Sequence, residues 1–242
     1  MYAAAMPQIR EERIRAADGH EFAGHLVVPE SGSGPGMIVV QEIFGLTDYI
    51  KGVCTRLSEL GYVALAPALY SRIDPDVALD ERQPDAMPLA FGMMQRLDVP
   101  QAVRDAAEAL AHLRTLPEVR DGRAGIIGFC LGGGIAYFVA ADSDPDVAVC
   151  YYGSAIPAEL GRAGKVHCPV LFEFGDADEY ISAEQREAVK QAFEGRPHTE
   201  FHVHSGANHA FDNHNASLFH HPEAAARAWE ETSAFLSREF PV

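Results

Sequence analysis

The chain has 242 residues, of which 48% are hydrophobic and 22% charged, a balance typical of a soluble globular protein with a large core. Its formal net charge of -16 argues against nucleic acid and anionic membrane surfaces as partners, because both need a cationic face. No apolar run is long enough to span a membrane, and residues 1–10 do not read as a secretory signal. The four cysteines fit no zinc template, so we expect a cytoplasmic protein with free thiols.

Strand-like and helix-like segments alternate along the chain. In chain order, strands are predicted at residues 22–28 and 37–41, a helix at 49–60, a strand at 62–66, a helix at 99–116, a strand at 123–127, a helix at 131–141, strands at 147–152 and 170–174, a helix at 182–193, a strand at 200–204 and a helix at 222–240. Residues 67–88 carry several prolines and acidic residues and are predicted to form a loop. The Met-rich stretch 87–97 predicts a helix that packs on the core, with a pocket lining as the alternative.

This alternation predicts an α/β fold: a single domain, residues 1–242, with a mostly parallel sheet and helices on both faces. Functional sites of such sheets form at the carboxyl ends of the strands. Glu42, Cys130, Asp178 and His209 all follow predicted strands at that end. We therefore expect these four side chains to lie near one another at one edge of the sheet.

Cys130 lies on the most informative segment, residues 125–134 (GIIGFCLGGG). A buried-type strand leads into the pattern Gly128-x-Cys130-x-Gly132, and a helix-compatible stretch follows. This is the strand–turn–helix context of the nucleophile elbow of α/β-hydrolases, with cysteine in place of the usual serine. Glycines allow the sharp turn, and the N-terminus of the following helix favours a thiolate over a thiol. A buried structural cysteine in a glycine-rich packing turn is the alternative.

A cysteine nucleophile needs a base and a group that orients the base, and in this fold the acid and then the histidine follow the nucleophile along the chain. Asp176 and Asp178 both follow a predicted strand; the spacing favours Asp178, with Asp176 as a turn residue. Seven of the eleven histidines lie between 198 and 221, and only His209 occupies a loop of small residues after the last strand. The alternatives are a purely structural aspartate loop and a metal site built by the C-terminal histidines.

Five segments together resemble one protein family. They are 41–45 (QEIFG), 128–133 (GFCLGG), 151–153 (YYG), Asp178 and 209–211 (HAF). From about residue 18 to about residue 235, the chain is similar to the dienelactone hydrolase (carboxymethylenebutenolidase) family, which has the α/β-hydrolase fold. The combination of QEIFG with a cysteine elbow is specific to that family, whereas neither piece alone is. The resemblance implies a hydrolase that acts on a small-molecule lactone or ester and needs neither a cofactor nor a metal.

The resemblance also assigns roles to individual residues. It implies a triad of Cys130, Asp178 and His209, with the backbone N–H groups of Ile43 and Leu131 as the oxyanion hole. The position of Leu131, directly after the nucleophile, indicates the same role.

Glu42 receives a role that its sequence position alone would not give it. In the family, this glutamate interacts with the resting cysteine and helps to remove its proton when substrate binds. The physical advantage is that a neutral resting thiol resists oxidation better than a thiolate does. The alternative for Glu42 is a charge near the N-terminus of the helix predicted at 49–60.

Substrate recognition departs from the family pattern. Family members that open dienelactones hold the substrate carboxylate with two arginines, and here Pro84 and Asn213 stand where those arginines would be expected. Tyr70, Arg72 and Arg82 are then the candidate substrate-binding residues, with solvated loop charges as the alternative for the two arginines. A carboxylated dienelactone, another lactone and a small ester all stay open as substrates.

Three functions therefore compete. The main hypothesis is a cysteine-dependent hydrolase of lactones or small esters. The second is a non-catalytic or thiol-sensing protein that keeps the fold and is modified at Cys130 without turning over an ester. The third is a metal-dependent enzyme that uses the C-terminal histidines. The sequence leaves the oligomeric state open.

Overall fold

The computed structural model describes residues 7–242, and the strands of that part of the chain form one eight-stranded sheet. In chain order the strands are β1 (Gln8–Arg15), β2 (Glu21–Val28), β3 (Gly34–Val40), β4 (Val63–Pro67), β5 (Val119–Phe129), β6 (Ala148–Tyr151), β7 (Val170–Gly175) and β8 (Thr199–His204). The helices are α1 (Asp48–Glu59), α2 (Ala86–Arg96), α3 (Val99–Thr115), α4 (Leu131–Asp142), α5 (Ala183–Ala192) and α6 (Pro222–Glu239), with a 3-10 helix at Ile156–Lys165. None of these described helices is both long and apolar enough to cross a membrane.

The strand order across the sheet is β1-β2-β4-β3-β5-β6-β7-β8. Strand β2 pairs antiparallel with β1 and with β4, and every other pairing is parallel. The predicted α/β class with a mostly parallel sheet is confirmed. Every residue of β3, β4, β6 and β7 is buried. Strands that are covered on both faces appear in the sequence as continuous apolar runs, which is why these four were easy to predict.

Strand β1 is not predicted by the sequence pattern. It lies at the edge of the sheet, and Ile14 is its only fully buried residue. Five of its eight residues are charged: Arg10, Glu11, Glu12, Arg13 and Arg15. A strand that contributes so little to the core lacks the apolar run on which the prediction depends. Strand β5 likewise begins earlier than predicted, at Val119 rather than at residue 123, because Val119 is followed by Arg120, Asp121 and Gly122, which interrupt the apolar run.

The loop between β4 and α2 is confirmed as an excursion made mostly of turns. It is attached to the segment that follows β3 by backbone hydrogen bonds from Leu46 to Val77 (3.3 Å) and from Leu79 to Phe44 (2.9 Å). Helix α5 begins with a capping box: Ser182 Oγ accepts from the N–H of Gln185, and the Gln185 side chain accepts from the N–H of Ser182. This cap fixes the chain just after Asp178.

Aromatic side chains support the carboxyl ends of the central strands. The rings of Phe129 and Tyr151 lie 4.7 Å apart between centroids, and those of Tyr152 and Phe211 lie 5.2 Å apart. All four are fully buried. Because close-packed aromatic rings leave little room for movement, the loops that follow β5, β6 and β8 rest on a rigid base.

Candidate active site

Four side chains that follow different strands meet at the carboxyl edge of the sheet. Glu42 follows β3, Cys130 follows β5, Asp178 follows β7 and His209 follows β8. Glu42, Cys130 and His209 line one cavity of about 130 Å³. Asp178 lies behind His209 and is hydrogen-bonded to it. The structure therefore brings together the four residues that the sequence analysis singles out.

Cys130 occupies the sharp bend between β5 and α4. Its backbone φ of 54° and ψ of -114° lie in a region that L-residues rarely adopt. Its N–H donates to the carbonyl oxygen of Tyr151 (3.1 Å), and its own carbonyl oxygen accepts from the N–H of Gly133 (3.0 Å). As the N-cap residue of α4, Cys130 is at the positive end of the helix dipole, which favours a negatively charged sulfur.

Steric crowding requires glycine at positions 128 and 132 of the bend. A Cβ on Gly128 would lie 1.9 Å from the carbonyl oxygen of Gly132, and a Cβ on Gly132 would lie 2.3 Å from that of Val40. Both distances are far shorter than van der Waals contact, so no larger residue fits without moving the backbone. The glycines thus let β3, β5 and the start of α4 approach one another beneath Cys130.

Backbone strain is concentrated around this edge of the sheet. Tyr152 has a φ of 36° directly after β6, and Ala210 has a φ of 54° directly after His209. With Cys130, these are three of the five non-glycine residues with positive φ in the described chain. Such strained conformations persist where the surrounding structure imposes them, and they cluster at functional sites.

His209 is held by Asp178. The distance from Nδ1 of His209 to Oδ2 of Asp178 is 2.8 Å, and both side chains are buried. The other carboxylate oxygen of Asp178 accepts from the N–H groups of Tyr180 (2.8 Å) and Ile181 (3.2 Å), which fixes its orientation. Asp176, the competing carboxylate, instead accepts from the N–H of Gly206 in the neighbouring loop (2.6 Å).

The electrostatics of His209 follow from its two partners. Burial lowers the pKa of His209, but the charge of Cys130 and the hydrogen bond with Asp178 outweigh it and raise the pKa to about 10. A hydrogen bond with Cys130 acts in the same direction. The ring therefore favours the imidazolium form at neutral pH, and an imidazolium stabilises a thiolate beside it.

Glu42 is a buried carboxyl group with one unused oxygen. It is 2% exposed, and its Oε2 accepts from Nδ2 of Asn213 (2.6 Å). Its Oε1 has no hydrogen-bond partner among residues 7–242. Burial raises the pKa of Glu42 to about 7, although the hydrogen bond from Asn213 and the charge of His209 oppose this shift. Such a group changes its charge near neutral pH, at the wall of the cavity.

The raised pKa of Glu42 predicts a specific pH dependence of stability. Because the pKa is about 7 in the folded protein against 4.5 ordinarily, the contribution of Glu42 to stability is fully present below pH 4.5 and is lost as the pH rises through 7. Relative to Glu42→Gln, the unmodified protein should therefore lose up to about 3 kcal/mol of unfolding free energy over that interval.

Urea unfolding of both proteins at a series of pH values measures this difference. Glu230→Gln, at an exposed position of α6, is the control and should show no such trend. A difference between Glu42→Gln and the unmodified protein that stays constant from about pH 4.5 to about pH 8 would contradict the prediction.

The two predicted oxyanion donors have free N–H groups. The N–H of Ile43 has no hydrogen-bond acceptor within residues 7–242, and Leu131, the first residue of α4, has no intrahelical acceptor. Tyr70 is not among the described residues that line the cavity, and its role as a substrate-binding residue stays a prediction. Its buried hydroxyl group donates to the carbonyl oxygen of Ile43 (2.9 Å) and so fixes the peptide next to the candidate donor.

Arg72 and Arg82 are also not among the described residues that line the cavity, and their role in substrate binding stays a prediction. Arg72 forms two hydrogen bonds to the carboxylate of Asp105 on α3 (2.7 and 2.8 Å) and an ion pair with Asp18 (2.9 Å). Arg82 pairs with Asp80 (2.7 Å), and its side chain is 62% exposed. The first arginine therefore ties the excursion to the body of the protein, and the second is a solvated loop charge.

Of the C-terminal histidines, only His209 lines the cavity. His204 belongs instead to a cluster with Glu173 and Glu231, whose carboxylate oxygens lie 2.6 and 3.5 Å from its Nε2. Burial raises the pKa of Glu173 well above its ordinary value and lowers that of His204 to about 4. The two groups therefore share one proton in a structural pair that is separate from the cavity.

The rest of the cavity wall is mostly apolar. Its larger side chains are Phe44, Met87, Phe91, Met94, Tyr180 and Phe219. Three of them come from one face of α2 at helical spacing, so the pocket lining left open for the Met-rich stretch is observed. Tyr180 and Phe219 are lining residues that the sequence does not predict. Tyr180 could have been found from its place two residues after Asp178, but no pattern marks Phe219.

The protein has the α/β-hydrolase fold. This follows from the order of the strands, from the strained Cys130 before α4, and from Asp178 and His209, which come later in the chain and bind each other. Comparison with known proteins narrows this class. A family model described as the dienelactone hydrolase family matches residues 22–240. The chain is 34% identical over 229 residues to the carboxymethylenebutenolidase of a Pseudomonas species, covering 95% of each protein. It is 32% identical to that of Pseudomonas putida, covering 93% of this chain and 94% of the relative.

Solved structures agree with this assignment. A provisionally assigned dienelactone hydrolase of Klebsiella pneumoniae superimposes with a TM-score of 0.83 at 28% identity, over 96% of this chain and 99% of the other. A dienelactone hydrolase-like promiscuous phosphotriesterase from metagenomic libraries gives 0.77 at 26% identity, over 96% and 98%. The chain belongs to the dienelactone hydrolase family and is a hydrolase of that family.

Proposed function

We propose that the protein hydrolyses a lactone or small carboxylic ester through a thioester formed on Cys130. The observation that carries the proposal is the arrangement of three side chains: a strained Cys130 at a helix N-terminus, His209 at the same cavity, and Asp178 bound to the ring 2.8 Å away. The names of the relatives support a lactone as the substrate, because carboxymethylenebutenolidases act on a butenolide.

The first half of the reaction forms the acyl-enzyme. The Cys130 sulfur attacks the carbonyl carbon of the substrate, and its proton passes to His209 if the thiol is still neutral. The tetrahedral oxyanion is stabilised by the N–H groups of Ile43 and Leu131, which have no competing acceptor in the described chain. As the intermediate collapses, the C–O bond breaks and the imidazolium of His209 gives its proton to the departing alkoxide.

The second half restores the enzyme. His209 takes a proton from a water molecule as that water attacks the thioester carbonyl. The C–S bond then breaks, the carboxylic acid leaves, and the thiolate and imidazolium are regenerated. Asp178 keeps Nδ1 of the ring protonated, so that Nε2 is the nitrogen that exchanges the proton.

Glu42 controls the charge beside the nucleophile in this proposal. It lines the cavity with Cys130, and its unused Oε1 is available as a proton acceptor. Since its pKa is about 7, Glu42 can leave the proton on the neutral Cys130 thiol when no substrate is bound and can accept it through Oε1 when substrate binds, without a large free-energy cost.

Acyl-enzyme trapping tests the proposal directly. The protein is mixed with p-nitrophenyl acetate, quenched in acid within the first turnover and analysed by intact mass and peptide mapping. We expect one acetyl group per chain, located on Cys130. Cys168 is the internal control, because it is the other partly exposed cysteine and burial raises its thiol pKa to about 12. Turnover without any adduct, or an adduct that forms and is never hydrolysed, would refute the mechanism.

A further inference from the structure

We infer that the cavity is built for an uncharged lactone or a short apolar acyl group and excludes substrates that carry a carboxylate. The inference rests on the proposed function and names the substrate class of the same site. It is carried by the charges around the cavity: among the described residues that form its wall, none is arginine or lysine, and the charged side chains are Glu42 and His209.

The two arginines of the loop between β4 and α2, like His209, are already paired with protein carboxylates. The guanidinium of Arg72 is bound by Asp105 and Asp18, and that of Arg82 is bound by Asp80 on a separate surface depression. His209 carries its positive charge between Asp178 and Cys130. A carboxylate entering the cavity would therefore meet no unpaired cation that could replace its lost hydration.

The hydrogen-bond partner of Glu42, Asn213, offers nothing to a substrate anion either. Asn213 is fully buried, and its Nδ2 donates to Glu42 (2.6 Å) and to Glu81 (3.4 Å). Its Oδ1 accepts from the backbone N–H groups of Asn215 (2.9 Å) and Ala216 (3.3 Å). The amide of Asn213 therefore has no donor left for a substrate anion.

The size and surface of the cavity fit a small apolar group. Its volume of about 130 Å³ is well below the roughly 300–1,000 Å³ of pockets for drug-sized ligands. Met87, Phe91 and Met94 cover the side formed by α2. Methionine side chains are flexible and polarisable, so this wall can adapt to rings and chains of somewhat different shape.

A matched pair of lactones tests the inference. Carboxymethylenebutenolide and methylenebutenolide share the reactive ring and differ in the carboxylate. We expect kcat/KM for methylenebutenolide to be at least about 100-fold higher, since a buried unpaired charge is costly. Equal or faster hydrolysis of the carboxylated lactone would overturn the inference and leave the proposed function intact. Hydrolysis of neither lactone, together with no acylation of Cys130 by p-nitrophenyl acetate, would refute the proposed function itself.

A second experiment introduces a positive charge into the cavity wall. Met94→Arg places a guanidinium at a lining position, whereas Met93→Arg places one at the neighbouring half-buried position of α2 that does not line the cavity. Met94→Arg should raise the ratio of kcat/KM for carboxymethylenebutenolide over methylenebutenolide by at least about 10-fold. Met93→Arg should leave that ratio unchanged. If the two variants behave alike, charge in the cavity does not set the selectivity and the inference fails.

Discussion

Replacement of Cys130 by alanine should lower kcat/KM for a lactone or ester by roughly 10⁴- to 10⁶-fold. The methyl group cannot attack a carbonyl carbon, and among the described residues of the cavity wall only Cys130 is the N-cap of an α-helix. The backbone donors and the cavity remain, so binding should change little and the loss should appear in kcat. Steady-state assays over a wide substrate range separate the two parameters.

The matched control for this loss is Cys168→Ala. Cys168 is also partly exposed but lies away from the cavity, so its removal should leave kcat within about twofold of the unmodified protein. Circular dichroism and thermal unfolding should show that both variants fold, because neither substitution adds volume. If Cys130→Ala keeps more than about a tenth of the activity, a water molecule activated by His209 is the attacking group and the thioester is not on the reaction path.

The sequence allowed the bend around Cys130 to be predicted because its requirements are local. A Cβ on Gly128 would collide with Gly132, four residues away, so the glycines must be written into a short stretch of the chain. The buried strands were predicted for a related reason, since each one carries its own apolar run. Where burial is slight, as in β1 at the sheet edge, the pattern is too weak to predict a strand.

The substrate side of the site could not be predicted because it depends on distant pairings. Arg72 looks available in the sequence, but its partner Asp105 lies 33 residues further on, in α3. Glu42 meets Asn213 across 171 residues. No local pattern shows which arginine is already bound or which carboxylate is buried, and these long-range pairings decide the charge of the cavity.

The surroundings of α2 also could not be predicted from the sequence. Its helical spacing predicts that Met87, Phe91 and Met94 share a face, but the spacing cannot say whether that face meets the core or a cavity. In the structure this face closes over the site beside Phe44. Helix α2 therefore both packs on the protein and forms a wall of the cavity. The position of the neighbouring loops, which the spacing does not show, decides that its apolar face meets a cavity.

The second large effect is expected for Asp178→Asn, which should lower kcat by about 10³- to 10⁴-fold with little change in KM. Asparagine can keep the acceptor for the N–H groups of Tyr180 and Ile181, which leaves its NH₂ group facing Nδ1 of His209. Nδ1 must then accept a hydrogen bond, so the proton of the neutral ring moves to Nε2. In that tautomer the ring cannot take the proton of Cys130.

Asp176→Asn is the matched control, because Asp176 lies two residues earlier in the same loop, and its Oδ1 binds the N–H of Gly206 rather than the ring. It should keep nearly full activity. The rate at which iodoacetamide alkylates Cys130 gives a readout that a loss of stability would not mimic. In Asp178→Asn this rate should fall near neutral pH, because one of the interactions that raise the pKa of His209 is lost and less imidazolium remains to stabilise the thiolate. Unchanged turnover and alkylation in Asp178→Asn would mean that the orientation of His209 depends on its packing against Tyr152 and Tyr180 rather than on the carboxylate.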